Sequence, residues 1–279
     1  MLPTIDFFGK QITRLILGDN PVNGHSYIQD YISGEEMKKF YTPQKILELL
    51  FAAEEAGYNT ILPLANPNMF SVLHEYRNAG GKLNLIFQPY PAQPLDINME
   101  EMMALDPVAI YHQGTTTDYL TETGNYETLL SNIEKIRKGG IPVGLGTHVP
   151  ETVLQSEKEN WGIDFYMTCL YNARRTQRGE QSGFITGITK AGLLFYPEDR
   201  FLMLDVVKKV NKPFIVYKIL AGGQVFNQKP AAEYPKVLEY YIRETYENIK
   251  PGDIACMGVF QRDSDQLRQN ADITYKILK

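Results

Sequence analysis

Residues 141–172 read IPVGLGTHVPETVLQSEKENWGIDFYMTCLYN, and this stretch decides the fold. It contains an apolar run, an amphipathic segment that Pro150 opens and Gly162 closes, and a second apolar run. This order indicates a strand, a helix and a parallel strand, because parallel neighbours need a crossover connection that is usually a helix. Both runs end in polar residues: Thr147 and His148, then Tyr171 and Asn172.

The same alternation of apolar runs and helical segments continues along the 279 residues. Eight strands are predicted, at residues 14–18, 59–64, 83–88, 108–113, 141–149, 163–172, 213–220 and 253–260. They are rich in Val, Ile, Leu and Phe without strict alternation, which indicates burial on both faces. No Gly-x-Gly-x-x-Gly fingerprint follows the first strand, which weakens an open doubly wound sheet. We therefore predict one (β/α)8 TIM-barrel domain over residues 1–279, with residues 1–12 as a lead-in.

The overall composition argues against some classes of binding partner. The formal net charge is −5 and the pI is about 5.5, which argues against binding to nucleic acid or an anionic membrane. No apolar run is long enough to span a bilayer, and residues 1–10 lack a secretory signal pattern. Cys169 and Cys256 lie inside apolar runs and are expected to be buried free thiols, which suits a reducing compartment. We therefore expect a cytoplasmic protein.

Two connections are longer than a barrel usually needs. Residues 21–41 follow the first strand and residues 173–199 follow the sixth. Long loops of this kind commonly cover a binding site, so both are predicted to lie over the mouth of the barrel. The second connection carries Arg174 and Arg175, and guanidinium groups bind carboxylates and phosphates bidentately. The predicted ligand is therefore small, polar and anionic.

Polar residues at the strand ends are the candidate site, because those ends form the active-site face of a barrel. Lys218 is expected to point inward together with Val216, since a charge facing the helices is costly. A lysine there can form an imine with a carbonyl, hold an anion or pair with Asp19. His112 and His148 end neighbouring strands and can donate hydrogen bonds or act as general acids or bases. No HxH or HExxH spacing occurs, so no metal site is predicted.

Further polar residues near the strand ends complete the candidate site. The residues expected to contact the substrate are Asn20, Gln88, Tyr171, Asn172, Arg174 and Arg175. Six residues are predicted to converge on one end of the barrel: Asp19, Gln88, His112, His148, Asn172 and Lys218.

The second half of the chain resembles the aldo/keto reductase superfamily. AIYHQG (109–114) is similar to that family's fourth strand, which ends in a catalytic histidine. GLGTH (144–148) and IDFYMTCLYN (163–172) resemble its fifth and sixth strands. KILAGGQ (218–224) looks like its seventh strand and following loop, and MGVFQRDSDQLRQN (257–270) looks like its cofactor-binding segment.

The resemblance implies a reductase that binds NADP(H) across the seventh and eighth strands, with His112 polarising a carbonyl. The implied cofactor contacts are Gly223, Gln224, Arg262, Arg268 and Asn270. Backbone N–H groups at the start of the last helix would also favour a phosphate. The first half departs from the family pattern, because its catalytic Asp, Tyr and Lys have no counterparts here.

Two alternatives to a reductase stay open. The first is a non-redox lyase or isomerase that uses Lys218, with Asp19 or His148 moving protons. The second is a barrel that only binds a ligand or a protein partner.

Overall fold

The computed structural model describes residues 2–174 and 194–279. These residues form ten strands: β1 (Thr4–Phe7), β2 (Lys10–Thr13), β3 (Leu15–Gly18), β4 (Thr60–Leu62), β5 (Asn84–Phe87), β6 (Ala109–His112), β7 (Val143–Thr147), β8 (Phe165–Cys169), β9 (Phe214–Tyr217) and β10 (Ile254–Gly258). Strands β3 to β10 close into a parallel barrel in the order β10-β3-β4-β5-β6-β7-β8-β9. The predicted (β/α)8 TIM-barrel fold is thus confirmed.

Ten α-helices belong to the described part of the chain. They are α1 (Gly34–Phe40), α2 (Pro43–Glu55), α3 (Pro67–Asn78), α4 (Leu95–Met103), α5 (Gly114–Glu122), α6 (Tyr126–Arg137), α7 (Pro150–Glu159), α8 (Pro197–Lys209), α9 (Tyr234–Asn248) and α10 (Gln266–Leu278). Proline stands in the first turn of α2, α3, α7, α8 and α9, where its missing N–H costs nothing. None of the described helices is long and apolar enough to cross a membrane.

Residues 4–13, which include most of the predicted lead-in, form an antiparallel hairpin. Strands β1 and β2 pair from Thr4 with Thr13 to Phe7 with Lys10. Phe7 and Ile12 are buried in the same apolar cluster as inward-facing barrel residues, and the Phe7 ring lies 5.2 Å from that of Phe165. The hairpin therefore closes the end of the barrel opposite the strand ends that carry the polar residues.

Alternate residues along the short strands separate into two apolar clusters. The smaller cluster fills the barrel and includes Tyr111, Met167 and Ile215. The larger cluster lies between the barrel and the helices and includes Ile110 and Val216. This alternation is what decides which side chains can reach a site inside the barrel.

The structure describes the first of the two long connections in full and only the ends of the second. The first contains α1, whose Ser33 and Glu36 form a capping box: the Ser33 hydroxyl accepts from the Glu36 N–H, and the Ser33 N–H donates to the Glu36 carboxylate. Most of the second, residues 175–193, lies outside the described residues. Helix α10 is capped by Asp265, whose side chain accepts from the Arg268 N–H.

Candidate active site

A cavity of about 770 Å³ opens at the carboxyl ends of the barrel strands. The first long connection covers part of its mouth, because His25, Tyr27 and Tyr31 are among the lining residues. Four of the six residues expected to converge also line it: Asp19, Gln88, His148 and Lys218. A cavity of this size is in the usual range for small-molecule sites.

A buried carboxylate, that of Asp118, binds the Nδ1 side of the His148 ring. Asp118 on α5 is fully buried, and its Oδ2 lies 2.7 Å from His148 Nδ1. Its Oδ1 accepts a hydrogen bond of 2.6 Å from the Thr147 hydroxyl, and the His148 N–H also donates to this carboxylate. The contact depends on Gly146, where a Cβ atom would lie 2.7 Å from the Gly114 nitrogen at the start of α5. Glycine therefore lets α5 approach β7 closely enough for Asp118 to reach His148.

This carboxylate fixes the tautomer of His148. With Nδ1–H donating to Asp118, the other ring nitrogen is an acceptor, and Tyr217 Oη lies 2.9 Å from Nε2. Burial lowers the pKa of His148 below its usual value, although the hydrogen bond to Asp118 opposes this shift. Burial also raises the pKa of the Tyr217 phenol well above its usual value. At neutral pH, Tyr217 therefore donates to a neutral imidazole.

Lys218 adds a cation to this chain of groups. Its Nζ lies 3.5 Å from His148 Nε2, and 4.5 Å and 5.2 Å from the ring centroids of Tyr27 and Phe195. Within residues 2–174 and 194–279, no carboxylate lies within 4.0 Å of this ammonium group, so the ion pair with Asp19, one of the three roles left open above, does not form. Lys218 is thus a half-buried amine among aromatic rings and next to a proton acceptor.

Lys218 lines the cavity, but the prediction that Val216 points inward together with it is wrong. Val216 faces the helices, and Tyr217 faces the barrel interior. Lys218 has a φ of +56°, and this left-handed conformation breaks the strand alternation. Two successive residues, Tyr217 and Lys218, therefore both line the same cavity.

Asp19 lies in another part of the cavity lining, after β3. Its Oδ2 accepts hydrogen bonds from the Leu64 N–H at 2.6 Å and from Asn23 Nδ2 at 2.7 Å. Burial raises the pKa of Asp19 to about 6, and these two hydrogen bonds only partly oppose the shift. The site therefore contains a carboxyl group that titrates close to neutral pH.

His112 does not belong to the cavity. Its Nδ1 lies 2.7 Å from Thr117 Oγ1 on α5, and its Nε2 lies 3.3 Å from Asn132 Nδ2 on α6. Burial lowers the pKa of His112 to about 4. Since Tyr111 faces the barrel interior, its neighbour His112 must face the helices. The prediction that His112 polarises a substrate carbonyl is therefore wrong.

The predicted substrate contacts divide into two groups. Asn20 and Gln88 line the cavity, whereas Tyr171, Asn172 and Arg174 do not. The Tyr171 ring packs against Phe195, and the Asn172 amide oxygen accepts from the Arg174 N–H. The Arg174 guanidinium forms a bidentate ion pair with Glu122 on α5. Arg175 lies outside the described residues.

The predicted cofactor contacts divide in the same way. Gly223 and Asn270 line the cavity. Gln224 joins two loops instead, because its Nε2 donates to the Tyr27 carbonyl and its Oε1 accepts from the Phe195 N–H. Arg262 and Arg268 are absent from the lining.

Both arginines and the start of α10 already have partners within the chain. Arg262 pairs with Asp263 and Glu36, and Arg268 pairs with Asp265. The first N–H groups of α10 donate to the side chains of Gln261 and Asp265. A phosphate would have to displace these contacts. NADP(H) binding stays a prediction, which calorimetric titration with NADPH tests.

Three residues of the site were absent from the sequence-based candidates. Tyr217 and Tyr111 face the barrel interior, and the Tyr111 hydroxyl donates to Gln88 Oε1 at 2.5 Å. Correct strand parity would have identified both. Asp118 lies in a hydroxyl-rich segment with weak helical periodicity, GTTTDYLTE, so its burial had no clear signal in the sequence.

Comparisons with known proteins identify the fold. No protein-family model and no curated protein matches the chain. The structure of Gox0644 in its apo form aligns with a TM-score of 0.60 at 12% identity, covering 98% of this chain and 88% of that one. A truncated 3-deoxy-D-arabino-heptulosonate 7-phosphate synthase from Thermotoga maritima aligns with a TM-score of 0.56 at 12% identity, covering 99% and 91%. The phospho-2-dehydro-3-deoxyheptonate aldolase from the same organism aligns with a TM-score of 0.50 at 10% identity. This alignment covers 99% of this chain and 71% of the aldolase chain.

The expected membership of the aldo/keto reductase superfamily is wrong. No family model matches, and the neighbours above that are named for an activity are a synthase and an aldolase. His112, the one residue that matched the family's catalytic set, faces the helices. The short stretches that carried the resemblance are strand ends and turns, which many barrels share. The comparisons therefore identify the chain by its fold alone, as a (β/α)8 barrel.

Proposed function

We propose that this barrel is a non-redox lyase or isomerase that binds a small carbonyl compound as an imine on Lys218. The observation that carries the proposal is the placement of Lys218 Nζ 3.5 Å from His148 Nε2, at the end of the hydrogen-bonded chain from Asp118. An amine must lose a proton before it can attack a carbonyl, and a neutral imidazole at this distance can accept that proton.

Imine formation needs a nucleophile and a route for one proton. The neutral Nζ of Lys218 attacks the carbonyl carbon, and the resulting carbinolamine loses water to give a protonated imine. The proton that the ammonium group releases passes to His148 Nε2 as the Tyr217 hydroxyl turns from this nitrogen to the substrate, and the Asp118 carboxylate stabilises the imidazolium. The imidazolium then returns this proton to the carbinolamine hydroxyl, which leaves as water. Tyr217 stays protonated and can donate a hydrogen bond to the carbonyl oxygen as negative charge develops on it.

The protonated imine then supports either reaction class. It withdraws the electron pair of a neighbouring C–C bond in a lyase or of a C–H bond in an isomerase, and an enamine results. In both cases a base takes one proton from the substrate and a group returns one to carbon. His148 can do this beside the imine, and Asp19 can do it elsewhere in the cavity, with a pKa of about 6. Hydrolysis of the imine finally releases the lysine.

Reductive trapping tests the proposal directly. The protein is incubated with dihydroxyacetone and other small carbonyl compounds, sodium borohydride is added, and peptides are mapped by mass spectrometry. We expect a reduced adduct on Lys218 that is absent from Lys218→Met. The matched control is Lys229→Met, which removes an exposed lysine that does not line the cavity and should trap as the wild type does.

The same experiment separates the open alternatives. No adduct on Lys218 with any carbonyl compound would refute the imine. If calorimetric titration detects binding of a carbonyl compound but no adduct forms, a barrel that only binds a ligand is favoured. If an adduct forms, exchange of substrate C–H hydrogens in deuterium oxide would indicate an isomerase, and release of a smaller carbonyl compound would indicate a lyase.

A further inference from the structure

The cavity lining carries few formal charges. Among its described residues, Lys218 is the only lysine or arginine and Asp19 is the only carboxylate. Among these described residues, a phosphate or carboxylate ligand would therefore meet one cation and one acidic group. Sites that select such anions usually offer several positive groups.

Three of the four arginines that were expected to supply positive charge have partners elsewhere, and the fourth, Arg175, lies outside the described residues. Arg174 is paired with Glu122, Arg262 with Asp263 and Arg268 with Asp265, and none of the three lines the cavity. Among the described residues, the formal charges of the cavity lining are thus limited to Lys218 and Asp19.

The cavity lining contains uncharged amide side chains. Three glutamines that line the cavity have their carbonyl oxygens held by donors of the chain. Gln88 Oε1 accepts from the Tyr111 hydroxyl, Gln113 Oε1 accepts from the Thr116 N–H at 2.6 Å, and Gln266 Oε1 accepts from the Phe260 N–H at 2.9 Å. Their NH₂ groups form no hydrogen bond with any described residue, so three oriented donors remain for a ligand.

Asn270 adds a group that can both donate and accept. Only 4% of this residue is exposed, and it lines the cavity from α10. Its side chain forms no hydrogen bond with residues 2–174 or 194–279. A buried amide normally has a partner, so this one indicates that a polar group of a ligand or a water molecule completes it.

We infer that the carbonyl compound bound at this site is an uncharged polyhydroxylated aldehyde or ketone. Each hydroxyl of such a molecule can accept from a glutamine NH₂ group and donate to an amide oxygen such as that of Asn270. Apolar side chains, including Leu62 and Met257, line the same cavity and suit the C–H groups of its carbon chain. The inference deepens the proposed function and differs from the anionic ligand that the arginines predicted.

A matched pair of ligands tests the substrate class. D-Erythrulose and D-erythrulose 4-phosphate differ by one phosphate, and neither chain closes into a furanose ring. We expect borohydride to trap D-erythrulose on Lys218 at least about tenfold faster than its phosphate at equal concentration. Faster trapping of the phosphate would overturn the inference.

Binding to Lys218→Met separates this inference from the proposed function, because that variant cannot form the imine. Calorimetric titration should still detect D-erythrulose, with about tenfold weaker binding of the phosphate. If no adduct forms in the wild type but this preference remains, the imine fails and the substrate class stands. Equal or tighter binding of the phosphate would refute the substrate class whatever the trapping result.

Single amide substitutions test the recognition itself. Gln266→Glu and Gln88→Glu each keep an oxygen that can accept the internal hydrogen bond but remove the NH₂ donor. Each should weaken D-erythrulose binding about tenfold, which corresponds to 1.4 kcal/mol. The control is Gln44→Glu on the exposed face of α2, which should change nothing. If one variant fails to fold, the other gives the same comparison. Affinity within twofold of wild type would overturn recognition through these amides.

Discussion

Asp19 should make the stability of this barrel decrease between about pH 4 and pH 6. Its carboxyl group has a pKa of about 6 in the folded protein, against about 3.9 in an unfolded chain. The folded state therefore binds more protons than the unfolded state in this interval, and the free energy of unfolding falls as the pH rises through it. Well below and well above the interval, Asp19 contributes no pH dependence.

The size of this effect follows from the difference between the two pKa values. A difference of about 2 units, at about 1.4 kcal/mol per unit, corresponds to about 3 kcal/mol. The cause is the removal of the carboxylate from water, which the hydrogen bonds from Leu64 and Asn23 only partly offset. The substitution Asp19→Asn keeps an oxygen that can accept from Leu64 and removes the titrating group.

Urea unfolding of the wild type and of Asp19→Asn at pH 4 and pH 7 measures the effect. The difference in unfolding free energy should move by about 2 kcal/mol in favour of the variant between these two pH values, because part of the full effect already develops below pH 4. Asp272→Asn, which replaces an exposed carboxylate on α10, should track the wild type at both pH values. If the difference between wild type and Asp19→Asn stays constant within about 0.5 kcal/mol, the carboxylate is better solvated than its burial implies.

Three further substitutions test the site and the barrel around it. Asp118→Asn should place an amide NH₂ against His148 Nδ1 and protonate Nε2, slowing reductive trapping by about 10²- to 10⁴-fold; ¹H–¹⁵N spectra of the ring should report the new tautomer, and an unchanged tautomer would contradict the assignment. Gly222→Ala should cost about 1–3 kcal/mol in urea unfolding, since Gly222 has a φ of +60° and a Cβ there would lie 2.6 Å from the Tyr27 ring. Thr168→Val should raise the melting temperature by about 2–4 °C in calorimetry, because the buried Thr168 hydroxyl has no partner among the described residues; a lower melting temperature would show that a partner exists.

The fold was accessible from the sequence because its signals are local. Apolar runs and helix-opening prolines mark each strand and helix, and their strict alternation leaves few topologies open. Even the short helix α1 has a signal, the Ser33 and Glu36 spacing of a capping box. Polar strand ends then indicate which face of the barrel carries the site, and Asp19, Gln88, His148 and Lys218 do line one cavity there.

The arrangement within the site was less accessible because it depends on orientation and on distant contacts. In a strand of four residues, an error of one position turns each side chain to the other face, as happened with His112 and Val216. Asp118 lies 30 residues before His148, and only the close approach of α5 to β7 joins them. Arg174 misses the cavity for a similar reason, because its acidic partner, Glu122, is distant in sequence.

The left-handed backbone at Lys218 has a thermodynamic consequence. A residue with a side chain pays about 1–2 kcal/mol to adopt this conformation, and glycine adopts it nearly free of cost. The barrel therefore places its reactive amine at a position where folding alone would favour glycine. Replacing Lys218 with glycine should increase stability while abolishing the imine. The backbone conformation that places the reactive amine therefore lowers the stability of the barrel.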